Sequence, residues 1–547
     1  AGWQAPTDGA EFDFIIVGAG SSGCVLADRL SASGRYKVLL VEAGGRNETE
    51  LVNMPRAFMK MFGNPIHFWH FPVKPQPGRP AGEVWPYGKG LGGSSSTNGT
   101  WYLRGMPADY DGWAAAGHKE WAWPEIARCF QAMENYREDG AHAARGRDGP
   151  LQVTRLPYRS PAIAASIEAG VEMGLPRLDD INTPGTLGIG YTQASVDRRG
   201  RRASSYRAFL KPALSRPNLT VLTDALVERV ELEGTRASGI KLRTGEGTRV
   251  IKAAREVILS AGALQSPKLL QLSGIGPADL LTRAGVAVRH DLAAVGRHLA
   301  DHAMFSMSYR LHNDPGANRE FSGWRLLTHV LRYYLTRKGL MAYTSPEVTA
   351  LLSLHGRADW PDVQFGIGPF SMRSSAEIKA DPGRGALEDK PGITVNAIAL
   401  RPKSRGSVSI RSADIADQIE VDANWWGDPA DKAFMVEMVR LVRRYMRQPA
   451  LKPFVGEEVV PGPRIESDEQ IAEVLEWLTS PGVHATGTCR MGGTVDGVVD
   501  GRLRVHGVRG LRVVDCSVMP VPPAGNTNGP AMVIGWRAAE LILQDAV

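Results

Sequence analysis

Cysteine is scarce in this chain: four in 547 residues, Cys24, Cys129, Cys489 and Cys516. A disulfide-stapled fold of this length would use far more, and the spacings match no zinc pattern, so no metal site is expected. Cys24 and Cys489 read as small buried fillers. Long apolar runs are missing too; none approaches the ~18 residues of a membrane-spanning helix. The opening Ala-Gly-Trp-Gln-Ala-Pro has no basic stretch followed by an apolar one. With no export signal visible, a cytoplasmic location is expected, and the processed N-terminus leaves the periplasm open. Charge of one sign is not concentrated either: 64 Lys and Arg face 58 Asp and Glu, a net +6. Spread over the whole chain, that excess predicts no nucleic-acid partner. The densest cluster, Arg198, Arg199, Arg201 and Arg202, reads as a solvated loop.

What remains is ordinary globular composition, 43% hydrophobic and 22% charged, enough for about two to four domains. Phe12-Asp-Phe-Ile-Ile-Val17 suits a buried parallel strand. Gly18-Ala-Gly20-Ser-Ser-Gly23 follows, then helical apolar spacing, then a second strand, Lys37–Val41, ending in Glu42. Strand, glycine turn, helix, strand and acid is the order of a dinucleotide site. Gly18 permits the tight turn, Gly20 lets backbone approach a pyrophosphate, and Gly23 lets helix pack on strand. Glu42, 22 residues after Gly20, can accept from an adenosine ribose and disfavours a 2′-phosphate. This motif alone does not decide between NAD and FAD.

A second stretch, Gly88-Lys-Gly-Leu-Gly92-Gly93-Ser-Ser-Ser-Thr97-Asn98-Gly99-Thr100, is too rich in glycine and hydroxyls for a regular helix or strand. It offers closely spaced backbone N–H groups suited to a flat polar ring or phosphates. Further on come Gly262-Ala-Leu-Gln-Ser266-Pro267 through Ser273-Gly274-Ile275-Gly276, His484-Ala-Thr-Gly487-Thr488, Val513-Val514-Asp515, and Gly525-Asn526-Thr-Asn528.

These motifs, in this order, resemble the glucose-methanol-choline (GMC) family of FAD-dependent oxidoreductases from end to end. The look is nearest to bacterial choline dehydrogenases and primary-alcohol, including aryl-alcohol, oxidases. The resemblance implies an α/β Rossmann-like FAD-binding domain with a discontinuous α+β substrate domain on an antiparallel sheet. The FAD domain is expected at 1–155, 205–310 and 465–547, and the substrate domain at 156–204 and 311–464. Some family members attach FAD through a histidine just before the signature asparagine. Here that position is Thr97, which cannot form the bond, so non-covalent FAD is expected.

By the same resemblance His484 is the catalytic base, Asn528 meets the substrate hydroxyl, and Asn526 faces the flavin. Two residues apart in an extended segment, the asparagines would point to opposite faces. Histidine suits the proton step because its ordinary pKa lies near neutrality, and Pro481-Gly482-Val483 is a turn able to present it. Gly92, Asn98, Gly99, Val227 and Asp515 match cofactor-contacting positions.

The implied reaction is oxidation of a primary alcohol to an aldehyde, with onward oxidation through the aldehyde hydrate left open. The electron acceptor is dioxygen or a quinone-type molecule. A hydroxynitrile lyase and a flavin photodecarboxylase on the same fold are the alternatives. Oligomeric state is left open. Phe365, Phe370 and Trp425 are candidate pocket walls, each better read as core. Val483, modest in size, leaves room for a bulky alcohol.

Overall fold

The computed structural model describes residues 6–79, 81–373 and 387–546. The opening residues weighed for an export signal fall outside them in part. Two large sheets organise the chain. In the first, β1 (Glu11–Val17) lies parallel between β2 (Val38–Val41) and the long strand Gly247–Leu259. Leu219–Leu222 extends the parallel set beyond β2, and Leu511–Val513 joins it beside Val257–Leu259. Arg236–Thr244 and Leu226–Glu233 continue it as antiparallel strands. β2 is buried along its whole length, as a parallel strand covered on both faces must be. α1 (Ser21–Ser31) and α5 (Asn528–Asp545) pack together over this sheet. A Cβ on Gly535 would stand 2.7 Å from the Ser22 carbonyl, so this crossing needs a glycine.

The second sheet is antiparallel. Its order is Val455–Val460, β3 (Ala303–Leu311), Gly392–Ala399, β4 (Val363–Gly368), Val348–Leu352 and Gly188–Tyr191. Ser480–Pro481 pairs with the start of β3. Gly188–Tyr191 and β3 thus belong to one sheet although the chain of the first sheet runs between them. α4 (Pro429–Met446) is capped by Asp428 and started by Pro429. α2 (Gly262–Leu272) follows the long strand of the first sheet, and α3 (Gly323–Thr336) follows β3. Among the described residues, no helix is long and apolar enough to cross a membrane, and no cluster of potential metal ligands occurs.

Both sheets end at one place. The segment from Ser480 leaves the second sheet at its β3 edge, while α5 begins over the first. The residues of the site are carried by these ends.

Candidate active site

A cavity of about 490 Å³ opens beside the first sheet, bordered by Val17, Val41 and Val227 of its strands. Its walls include Ala225, Val227, Leu264, Lys268 and Asp417, then Gly18, Gly20, Ser21 and Glu42, and also His484 and Asn526. Gly18 has φ +102°, and a Cβ there would strike the Ser260 carbonyl oxygen at 2.5 Å. A Cβ on Gly23 would meet the Gly18 carbonyl at 1.9 Å, so the helix can sit this close to the turn only with glycine. The Glu42 carboxylate accepts from three backbone amides, Ala19, Gly44 and Gly90, each at 2.9 Å. It thereby ties the first glycine turn to the second glycine-rich stretch.

That second stretch wraps back onto the first: a Cβ on Gly93 would lie 2.8 Å from Gly20 Cα. Gly92, at φ +89°, turns the chain into a short 3₁₀ turn, Gly93–Ser96. Asn98 and Gly99 line the cavity. Asn98 is fixed by Arg202, whose guanidinium donates to the Asn98 carbonyl (2.6 Å) and side-chain oxygen (2.8 Å). Arg202 is wholly buried, and burial lowers its pKa to about 9. Of the arginine cluster expected in solvent, this member is drawn inside by backbone carbonyls of Val52, Ser95 and Asn98, which charge cannot reveal in a linear reading.

Asp515 lines the cavity while its carboxylate clamps two elements. It accepts from Gly262 N and Ser266 Oγ at the start of α2, and from Ser517 N and Oγ on its own turn. Burial raises its pKa against those four donors.

His484 is buried, and burial lowers its pKa to about 4. Its Nε2 lies 3.1 Å from Asn526 Nδ2, and its Nδ1 lies 3.0 Å from His302 Nδ1. Asn526 Oδ1 in turn accepts from Gln364 Nε2 at 3.1 Å. In this arrangement Gln364 Oε1 and His302 Nε2 are buried without a hydrogen-bond partner. His302 is fully buried, and desolvation, with His484 and Arg401 nearby, keeps its pKa well below the usual value.

The backbone that presents His484 is strained. Val483, a β-branched residue, has φ +59°. Asp301 holds it there, accepting from Val483 N at 3.1 Å and from His484 N at 2.7 Å. Burial pushes the Asp301 carboxyl up to about 7. Gly482 N donates to the His302 carbonyl, and Tyr87 Oη accepts from Ala485 N, so four consecutive residues are pinned.

A family model described as GMC oxidoreductase matches residues 12–304, and its C-terminal counterpart matches residues 402–535. The chain belongs to the GMC oxidoreductase family. This GMC protein is 36% identical to an oxygen-dependent choline dehydrogenase of Photobacterium profundum, over 97% of this chain and 93% of the relative. It is 35% identical to an alcohol dehydrogenase [acceptor] of Pseudomonas putida, over 97% and 96% of the two chains. Among solved structures, pyridoxine 4-oxidase from Mesorbium loti superposes with a TM-score of 0.86 at 29% identity, covering 97% of this chain and 99% of that one. As a GMC oxidoreductase, the protein is an FAD-dependent oxidoreductase.

The residues present fit FAD. The N-termini of α1 and α5 both open on the cavity with no side-chain cap, leaving first-turn amides for a diphosphate. Gly20 lines the cavity, and a Cβ there would meet only the Ser260 carbonyl oxygen, at 3.8 Å. Glu42, with three lone pairs engaged, keeps one for a ribose hydroxyl.

The two asparagines stand opposite to the sequence expectation. Asn526, expected on the flavin side, is the one beside His484. Asn528, expected at the substrate, is the first residue of α5 and accepts from Ser21 Oγ at 2.9 Å, next to the start of α1. They do face different partners, as alternation suggested. Which faces which is decided by where the helix begins, because Thr527 has already turned to φ −84°, ψ −1°.

Val227 lies in its expected strand and borders the cavity. Phe365 and Trp425 are core, packing on Tyr445 and Trp85, and neither they nor Phe370 lines this cavity. Its aromatic wall comes instead from Phe58, Phe62, Phe68, Trp69, Phe71 and Tyr87. Cys24 and Cys489 are buried fillers, and burial pushes the Cys24 thiol up to about 12. Sequence reasoning missed Asp301, His302 and Gln364. The adjacent Asp301-His302 was a visible signal, whereas a glutamine inside a strand gave none.

Proposed function

We propose that this protein oxidises an uncharged primary alcohol to the aldehyde, with His484 as general base and Asn526 as the group that orients the hydroxyl. The observation that carries the reading is the buried Gln364–Asn526–His484–His302 row. Asn526 turns Nδ2–H toward His484 because Gln364 donates to its other end. His484 Nε2 must then carry its lone pair, and its proton sits on Nδ1, donated to His302 Nδ1. Burial keeps both rings neutral at ordinary pH. An alcohol oxygen entering beside Asn526 accepts from Nδ2–H and donates its proton to His484 Nε2. Bound FAD supplies the hydride acceptor. Asp301, by holding the Val483–His484 backbone, fixes where that lone pair points.

The aromatic residues that share this cavity with His484 favour an apolar alcohol. Recognition of choline would add a free carboxylate near the aromatic faces. Glu42, Asp417 and Asp515 border the cavity toward α1 and α2. Glu347 is already engaged by Arg56 at 3.9 Å and by Ser345 Oγ. Among the described residues this supports a neutral alcohol over a quaternary ammonium one. Thr97, whose side chain borders the cavity, supports a non-covalent flavin.

The test is anaerobic flavin bleaching by benzylic, furanic, aliphatic and choline alcohols, followed by admission of air. Neutral alcohols should bleach the flavin faster than choline, and recovery in air separates dioxygen from a quinone-type acceptor. His484→Ala should keep its flavin and bleach ~10²–10⁴-fold more slowly. Unchanged bleaching by that variant would remove His484 from the proton step. No bleaching by any alcohol would favour the lyase or photochemical alternatives.

A further inference from the structure

α3 (Gly323–Thr336) carries more apolar surface than the fold uses. Leu326, Val330 and Tyr333 face inward onto Met54, Ala57, Met341 and Ala342. Trp324, Leu327, Leu331, Tyr334 and Leu335 form a second stripe that faces outward. Trp324 is 72% exposed, Leu327 69%, and Leu335 75%. The spacing of these five residues places them along one side of the helix. Beside them, the chain that carries Met54 and Ala57 continues into exposed Met59, Phe62 and Ile66. Exposed apolar side chains gathered on one helix face mark an interaction site.

Cations rim the stripe. Arg332, Lys338 and Lys60 are exposed and have no ion-pair partner among the described residues. The nearby acids are spent: Glu320 is engaged by Arg325 and His329, and Glu50 by Arg337.

We propose that this face docks on an anionic lipid bilayer, with α3 lying flat in the headgroup region and the 59–66 segment beside it. The outward stripe of Trp, Leu and Tyr with Lys and Arg at its rim is the composition of an interfacial helix. Unpaired cations complement anionic headgroups. A second copy of this chain fits less well. A two-fold interface would set Arg332, Lys338 and Lys60 of one subunit against a rim of the same sign, where the nearby described acids Glu320 and Glu50 are already paired. The fourteen residues of α3 lie flat over about 21 Å, and no described helix spans. The patch also reaches the cavity, since Phe62 is both exposed and part of its aromatic wall.

The test is flotation of the holoenzyme with phosphatidylcholine vesicles, with and without phosphatidylglycerol. The protein should float with the anionic vesicles, and added salt should reduce the bound fraction. Leu327→Ser/Leu331→Ser/Leu335→Ser should weaken binding on the order of a hundredfold. Arg332→Glu/Lys338→Glu should weaken it about tenfold. Both variants should keep parental flavin content and turnover with a soluble dye acceptor. Absence of flotation, or equal flotation of parent and variants, overturns the proposal. So does a parental dimer in sedimentation equilibrium that the triple serine variant dissociates, which would make this face a contact between copies.

Discussion

Replacing Gln364 by Glu exchanges an amide that donates for a carboxylate that only accepts. In the parent, Gln364 Nε2 donates to Asn526 Oδ1 at 3.1 Å, and this leaves Asn526 Nδ2–H for His484 Nε2. Facing a carboxylate, Asn526 turns its Nδ2 toward position 364 and presents Oδ1 to His484. The imidazole then places its proton on Nε2, where the base needs a lone pair. Restoring the productive arrangement means giving up a hydrogen bond to a charged group, about 1.5–3 kcal/mol. At about 1.4 kcal/mol per factor of ten, Gln364→Glu should reduce the flavin ~10–100-fold more slowly. Gln364→Leu only removes a neutral bond of about 0.5–1.5 kcal/mol, so its loss should be ~2–10-fold. The assay is anaerobic stopped-flow reduction, with flavin content and thermal midpoint measured on each variant. A second reading separates orientation from mere damage. The residue at position 364 is wholly buried, and burial raises a carboxyl pKa. As pH falls and that carboxyl takes a proton, it can donate again, and the Glu variant should speed up while the parent does not. A Glu variant that matches the parent, or one slower than Leu with no gain at low pH, would refute the orienting role.

The parental pH profile tests the base itself. With the His484 pKa lowered to about 4 by burial, the lone-pair form prevails above it, so kcat/KM should be level from about pH 5 upward. Below about pH 4 it should fall tenfold per unit, and a limb centred near 6.5 would contradict a desolvated base. Flavin attachment is read by acid precipitation: the yellow chromophore should pass into the supernatant, and colour kept in the pellet would contradict the reading of Thr97.

Much of the cofactor half was legible from the linear chain. Gly18, Gly20, Gly23 and Glu42 lie within one strand–turn–helix–strand unit, where local sterics fix each role. The second glycine-rich stretch was also readable as a cradle, although not its fastening by Arg202. His484 was singled out by its turn and its family position, and it lines the cavity. The order of Asn526 and Asn528 was not, because two residues of spacing are fixed by a helix start that forms only when α5 packs on α1.

The sequence by itself determined the elements whose chemistry is local: a buried parallel strand, a turn whose Gly18 and Gly23 admit no Cβ, and an acid, Glu42, at the end of the next strand. Tertiary structure alone decided the partners of His484. Asp301 and His302 come from the chain just before β3, Gln364 from β4 and Asn526 from the turn before α5, far apart in sequence. They meet because the β3 edge of one sheet and the helix over the other converge on one cavity. Hydrogen bonds between such residues depend on distance and direction, which only the packed chain supplies. The same holds for α3, whose apolar spacing is plain in the sequence while the side left open to solvent is set by what packs against it.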